Sequence, residues 1–143
     1  APLAVASTTE VANLNAAALS GQDWKRGVTA EFSGAQALTT TLADVAGVSV
    51  SADRLGQWEI TVYGEFSMQS GDGTPTLTIH ANGATQESGL GLDNVTNAPQ
   101  VFVTCYVDVV ANPTTIKVQV RKGTTGAASN VGFVKLMAKW IAP

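Results

Sequence analysis

Residues 38–68 read LTTTLADVAGVSVSADRLGQWEITVYGEFSM, and this stretch decides the fold class. Its last part alternates apolar residues with Glu, Thr, Tyr and Ser. A period of two over such a length is typical of a β-strand that buries one face. The pattern therefore predicts a long strand over 57–68, and the residues of its buried face are Trp58, Ile60, Val62, Gly64, Phe66 and Met68.

The same strand-like pattern continues through the rest of the chain. We expect strands near 28–33, 37–43, 47–52, 57–68, 75–81, 100–110, 115–122 and 131–141. Turn signals separate them at Ser70–Gly73, Asn82-Gly83 and Asn112-Pro113, and longer loops are expected over 83–99 and 122–130. About eight short strands in one domain predict an all-β fold, an antiparallel jelly-roll sandwich.

The first 27 residues differ from the strands that follow. Ser7 to Glu10 fits a helix capping box, and apolar residues follow it at helical spacing. We therefore divide the chain into an N-terminal arm with a short helix (1–27) and a jelly-roll β-domain (28–143). A helix of about 12 residues is marginal in water unless it packs against something. The alternative is a frayed tail that happens to contain Ala and Leu.

Composition narrows the classes of function. Only 13% of the 143 residues are charged, against about 25% in typical proteins. The net charge of -3 argues against nucleic acid as a partner, because phosphate binding needs a basic surface. No apolar run approaches the roughly 18 residues of a membrane helix, so we expect no membrane association. The single cysteine excludes an internal disulfide.

The strand at 100–110 is apolar on both faces. Its valines and Cys105 share one face, whereas Phe102, Tyr106 and Val110 lie on the other beside Thr104 and Asp108. A strand that faces water on one side should be polar there. We therefore expect the second face to be covered, either by the N-terminal arm or by a second subunit. The final strand has a similar pattern, and an oligomer is the preferred interpretation.

Side chains suited to catalysis are scarce. His80 is the only histidine, which excludes His-based zinc sites and most acid–base relays. Cys105 lies among valines, where a thiol is usually a small apolar residue with a raised pKa. Oxygen ligands for calcium occur at Gly71-Asp72-Gly73 and Asp93-Asn94, but a turn is the preferred interpretation of the first. We predict no enzyme activity, no cofactor and no metal.

Two segments carry a resemblance to a known group of proteins. Residues 42–50 and 56–62 follow the pattern L-x-D-V-x-G-x-S-V … G-x-W-x-I-x-V. This pattern resembles the opening of small jelly-roll domains in tailed-phage virion proteins. Residues 13–21 are similar to the phage-fibre connector N-L-N-A-x-x-L-x-G, although Ala18 stands where fibres often carry Asp. The resemblance covers under half of the chain and implies a trimer first among oligomers.

Two functions compete within that group. The first is a capsid decoration (cement) protein on the outer surface of a phage head, made in the bacterial cytoplasm, with the major capsid protein and itself as partners. The second is a receptor-binding tail-fibre or tip domain that binds host glycan or protein through loops 69–74, 82–99 and 122–130. Trimeric ligand domains of the tumour-necrosis-factor or complement type share the architecture and remain a further alternative.

The residues predicted to bind a partner come from the arm and from the strand at 100–110. Trp24 lies between the expected helix and the first strand, among charged residues. It either anchors the arm in a partner's pocket or holds the arm on its own domain. The full set of predicted partner-binding residues is Val11, Leu14, Leu19, Trp24, Phe102 and Tyr106.

Overall fold

The computed structural model describes residues 27–90, 98–124 and 128–143. This part of the chain forms eight β-strands. Their bounds are β1 (Gly27–Ala37), β2 (Ala43–Ala52), β3 (Gly56–Ser67), β4 (Thr76–Ala81), β5 (Ala84–Leu90), β6 (Gln100–Val109), β7 (Thr114–Arg121) and β8 (Asn130–Ala142). The all-β prediction is confirmed. The predicted helix lies outside the described residues.

The eight strands form two four-stranded antiparallel sheets. The first sheet has the order β1-β8-β3-β6, and the second has the order β2-β7-β4-β5. Strands β1 and β8, β2 and β7, β3 and β6, and β4 and β5 therefore pair from the outside of the chain inward. This nested pairing, folded over into two sheets, is the arrangement of a jelly-roll sandwich, as predicted.

The core lies between the two sheets, where the alternation in β3 placed it. Trp58, Ile60 and Val62 are no more than 2% exposed, and their neighbours Thr61 and Tyr63 point the other way. In β6 the valines at 101, 103, 107 and 109 face the core as predicted. Burial of such side chains is the main favourable term in folding and fixes which face of each strand is left outside.

Two strand predictions were wrong, but the total of eight strands is unchanged, because one predicted strand is missing and one unpredicted strand is present. The expected strands 28–33 and 37–43 are a single strand, β1, followed by a connection whose backbone is held by bonds from Leu38 N–H to Ser129 and from Lys122 N–H to Thr39. Residues 84–90, expected to be loop, form β5. This strand lies at the edge of its sheet and is mostly exposed, so its sequence ATQESGL carries no apolar alternation.

The turn signals were correct in position but not always in role. Asn82 and Gly83 form the expected turn, with φ angles of 53° and 76°, and this turn joins β4 to β5 in a hairpin that was not predicted. The turn at Gly71-Asp72-Gly73 is not a hairpin, since it leads from β3 in one sheet to β4 in the other. The Asp72 N–H donates to the Gln69 carbonyl oxygen at 3.2 Å, which closes this turn.

The side chain of Gln36 joins the edge strands of the two sheets. Its Nε2 donates to the Asp44 carbonyl oxygen at 2.9 Å, and its Oε1 accepts from the Ala46 N–H at 2.9 Å. Here the register between β2 and β7 shifts between Asp44 and Ser49, so the β2 backbone has a bulge. The Gln36 carboxamide thus supplies the bulged backbone with the two hydrogen bonds that a neighbouring strand would give.

Candidate interaction face

The first sheet has an outer surface that carries large apolar side chains. In the register of the sheet, Phe102 of β6 lies opposite Tyr63 of β3. Phe133 and Met137 of β8 share that surface, because they alternate with the buried Val134 and Leu136. We define the aromatic face as the outward side chains of Tyr63, Phe102, Tyr106, Phe133 and Met137.

The aromatic side chains of this face form a ridge across the sheet. The rings of Tyr63 and Phe133 lie 6.1 Å apart between centroids at an interplanar angle of 55°. This is within the range of favourable tilted aromatic pairs. Phe102 is 67% exposed and Tyr106 is 62% exposed, although large aromatic side chains gain most when buried. The β6 end of the ridge is therefore the part that stands most in water.

Charged and hydroxyl groups lie next to the aromatic side chains. The Tyr63 hydroxyl donates to Glu65 Oε1 at 2.5 Å, and this hydrogen bond raises the pKa of Tyr63. Lys135 Nζ lies 3.7 Å from Glu31 Oε2, and both side chains are well exposed. Such a surface pair contributes little to stability. Lys135 lies opposite Tyr63 in the register, so charged groups stand among the aromatic side chains of the sheet as well as beside them.

A shallow groove lies on the same surface beside the ridge. Its volume is about 570 Å³, and its lining comes from β1, β3 and β8. The depression is present because Gly27 has no side chain and those of Thr29 and Thr61 are small. Met137 supplies an apolar wall. Glu59 and Lys139 stand opposite each other in the register and place one charge of each sign at the groove.

The predicted partner-binding residues are only partly within the described chain. Phe102 and Tyr106 point outward from β6, and no described residue covers them. Val11, Leu14, Leu19 and Trp24 lie outside the described residues. Tyr63 was not predicted to belong to this set, because its contact with Phe133 depends on β3 and β8 being neighbours, which the sequence does not state.

The second sheet carries a polar groove of about 670 Å³ at the β2 bulge. Asp44, His80 and Lys117 are among its lining residues. Lys117 Nζ and Gln119 Nε2 donate to Asp44 at 2.8 and 2.7 Å, and these hydrogen bonds hold the pKa of the Asp44 carboxyl below its usual value. The groove offers donors and acceptors for a polar ligand. The Asp44 carboxylate already accepts hydrogen bonds from Lys117 and Gln119.

A buried polar cluster fastens the loops at one end of the sandwich. Asp72 is fully buried, its Oδ2 lies 3.1 Å from Lys122 Nζ, and the Ser129 hydroxyl donates to the same oxygen at 2.5 Å. The hydrogen bonds from Ser129 and Lys122 lower the pKa of the Asp72 carboxyl. The Asp72 carboxylate in this turn is thus paired with the Lys122 ammonium group.

The remaining candidates for chemistry stand apart from one another. Burial raises the pKa of the Cys105 thiol to about 11, as expected for a thiol in an apolar strand. Within the described ranges, no three His, Cys, Asp or Glu side chains come together in a group that would hold a metal ion. In the same ranges, no helix has the length and apolar character needed to cross a membrane.

Comparisons with known proteins support the fold. No family model and no curated protein matches the sequence. The globular domain of zebrafish complement 1qA protein aligns with a TM-score of 0.58 and 7% identity, over 81% of this chain and 97% of that one. The PRD1 vertex protein P5 aligns with a TM-score of 0.54 and 12% identity, over 81% and 96% of the two chains.

A third solved structure is the VP2 subviral particle of infectious bursal disease virus. It aligns with a TM-score of 0.53 and 13% identity, over 80% of this chain and 32% of that one. Identities this low establish a shared fold and leave function to be argued from the site. The chain is therefore a jelly-roll domain of a kind that virus structural proteins also use.

Proposed function

We propose that this protein is a structural component of a virion, and specifically a capsid decoration protein of a phage head. The observation that carries the proposal is the aromatic face, an apolar ridge left exposed on a complete jelly-roll sandwich. Exposed apolar patches mark association surfaces. A vertex protein and the protein of a subviral particle are among the structures of similar fold, and they support the virion part of the proposal.

The outer surface of the first sheet offers a large part of the area that a stable contact needs. Four strands spaced by about 4.8 Å, with about eight residues of about 3.4 Å each, span on the order of 500 Å² in projection. The accessible area of a rough surface exceeds its projection. A standard interface buries about 800 Å² per partner, so the first sheet alone offers most of what is needed. Self-association as a homotrimer is part of the proposal.

The arm and the major capsid protein complete the proposed mechanism. Residues 1–27 carry Val11, Leu14, Ala18 and Leu19 at helical spacing, and they would bind the major capsid protein while the β-domain stays on the outer surface of the head. Each attached copy adds contacts that must break before the head ruptures. The protein would be made in the bacterial cytoplasm and reach the head after assembly of the shell.

Binding to heads lacking the protein tests this proposal. We expect the whole protein to co-sediment with such heads and the Leu14→Asp/Leu19→Asp variant to bind at least tenfold more weakly. Circular dichroism should show the same β-domain in both. Equal binding of the two would overturn the role of the arm, and the absence of binding by the whole protein would overturn the decoration function.

A receptor-binding tail-fibre or tip domain is the second candidate. The polar groove at Asp44, His80 and Lys117 favours it, because hydroxyl-rich host glycans bind through such donors and acceptors. In the loop at 122–130, the Thr124 hydroxyl already donates to the Gly71 carbonyl oxygen at 2.5 Å. Binding to host cells that is lost in Lys117→Met and kept in Leu14→Asp/Leu19→Asp would favour this function over decoration.

A further inference from the structure

The groove of about 570 Å³ on the first sheet lies between two adjacent rows of outward side chains. One row consists of residues that face each other on β1, β8 and β3, which are Thr29, Met137 and Thr61. The other row has Lys139 on β8 and Glu59 on β3, but on β1 it has Gly27. Because Gly27 has no side chain, the groove has no side-chain wall at the β1 edge of the sheet. The groove is therefore open at that end.

The N-terminal arm joins the β-domain at this open end. Gly27 is the first residue of β1, and β1 is an edge strand, so no other strand of the first sheet lies beyond it. Inside the groove, Thr29 is exposed and Met137 is partly exposed. The residues just before Gly27 therefore have a short path to an apolar side chain that the described strands leave in contact with water.

Trp24 is near enough to Gly27 to reach the apolar part of the groove. Three residues span at most about 11 Å, so the Trp24 backbone lies within that distance of Gly27. Met137 pairs with Thr29 in the register. It therefore lies one strand across the sheet and two residues along it from Gly27, a separation of about 8 Å by strand spacing and rise. The volume of the groove is within the range that accepts an aromatic side chain.

The charges beside Trp24 in the sequence are compatible with those of the groove. Glu59 and Lys139 face each other in the register, and among the described residues neither has an ion pair. Asp23 precedes Trp24, and Lys25 follows it. The segment can therefore bring an opposite charge to each of the two groove residues. Exposed pairs contribute little affinity, so the apolar contact with the aromatic ring is the main favourable term.

We infer that Trp24 docks in this groove of its own β-domain, against Met137, and thereby fixes the base of the arm on the first sheet. A tether of three residues gives an effective concentration of about millimolar, which a second copy at micromolar concentration does not match. Trp24 thus holds the arm on its own domain, which is one of its two predicted roles. This docking leaves the predicted helix available for the proposed capsid contact and does not depend on the virion function.

Fluorine NMR of the whole protein labelled with fluorotryptophan tests the docking. The three tryptophans give three signals, and the signal that is lost in Trp24→Phe belongs to Trp24. We expect this signal to shift little between water and heavy water, because a docked indole is shielded from solvent. Thr29→Arg, which fills the groove, should give the larger solvent shift of an exposed indole. Met137→Ser, which removes the apolar contact, should do the same. Thr115→Arg is the matched control, since Thr115 is also an exposed strand threonine but lies on the other sheet.

A mixing experiment distinguishes the protein's own groove from that of a second copy. Labelled Thr29→Arg protein, whose own groove is filled, is mixed with an excess of unlabelled Trp24→Ser protein, whose groove is free. We expect the Trp24 signal to remain that of an exposed indole. Recovery of the shielded signal would show that Trp24 binds a neighbouring copy and would overturn the inference.

Each remaining outcome also decides the question. A Trp24 signal with the full solvent shift in the unmodified protein overturns the docking. A shielded signal that neither Thr29→Arg nor Met137→Ser changes overturns the groove as the site of Trp24. Circular dichroism identifies a variant that fails to fold, and the two groove variants act in different ways, so either one suffices. Binding to heads is measured separately with Leu14→Asp/Leu19→Asp, so a failure here is distinguishable from a failure of the virion function.

Discussion

Tyr63 and Phe102 lie directly opposite each other on β3 and β6, in the sheet that leaves its aromatic side chains in water. Their partners in the core, Val62 and Val103, are paired one position away and are almost fully buried. The same register thus generates a dry apolar surface and an exposed one. In a single copy of this sandwich, the aromatic side chains of the exposed surface stay in contact with water.

Replacing the exposed β6 aromatic residues should weaken self-association. Loss of an aromatic anchor at the centre of an interface costs about 2 kcal/mol or more, which is about 30-fold in affinity. Phe102→Ser/Tyr106→Ser should therefore sediment as a folded monomer at micromolar concentration, where the proposal predicts a trimer for the unmodified protein. Leu90→Ser, which removes an exposed apolar residue from the other sheet, should remain a trimer. A double variant as associated as the parent would contradict the role of the face.

The Asp72 cluster should make stability sensitive to acid. The pKa of Asp72 is lowered from its ordinary value of 3.8 in the folded state. A carboxyl with a depressed folded pKa contributes stability that is present above the unfolded pKa and is lost as pH falls through the folded pKa. Urea unfolding from pH 6 to pH 2 should therefore show a loss of stability below pH 3.8, and Asp72→Asn should lack that part of it.

Asp44 provides the control for this measurement. Its pKa is also lowered, by hydrogen bonds from Lys117 and Gln119, but its side chain is 53% exposed. Solvent screens exposed pairs, so Asp44→Asn should change the acid dependence less than Asp72→Asn. An Asp72→Asn protein whose unfolding follows the same pH dependence as the parent would show that the cluster does not link the loops in the way described.

Leu136→Ala should be strongly destabilising. Leu136 is fully buried between Ala30 of β1 and Val62 of β3, so its truncation leaves a cavity at the centre of the sheet. Such changes cost about 2–5 kcal/mol. Urea denaturation at one fixed protein concentration measures this, and the exposed Thr115→Ala should lie within about 0.5 kcal/mol of the parent. A cost for Leu136→Ala below about 1 kcal/mol would contradict its position in the core.

Gln36→Leu should loosen the bulge of β2. It removes the donor to the Asp44 carbonyl and the acceptor of the Ala46 N–H. Each hydrogen bond contributes about 0.5–1.5 kcal/mol, so a loss of about 1–3 kcal/mol is expected. The Ala46 amide should exchange its hydrogen faster, whereas the exposed Gln57→Leu should leave it unchanged. Unaltered protection of Ala46 in Gln36→Leu would show that the carboxamide does not hold the strand.

Alternation along single strands was sufficient to predict much of the fold. In β3 and β6 it identified the buried face and the outward position of Phe102 and Tyr106, because a strand with one dry face must alternate. It failed for β5, since an exposed edge strand gains its stability from the ladder with β4 and needs no apolar pattern. It also divided β1 wrongly, because Leu38 is apolar and buried although it belongs to a connection.

Contacts between distant parts of the chain could not be predicted from the alternation along single strands. Asp72 and Lys122 are 50 positions apart, and nothing in either segment signals the other. The pairing of Tyr63 with Phe133 depends on the order of strands in the sheet, which several topologies of the same eight strands would change. The groove beside Met137 arises from small residues on three strands, and it becomes visible only when those strands are adjacent.

Gold-labelled antibody against this protein, applied to intact virions and viewed by electron microscopy, is the most direct test of the central claim. A decoration protein predicts label spread over the outer surface of the head. Label confined to the tail end would contradict decoration and would indicate host recognition. Virions without label anywhere would contradict the virion assignment itself.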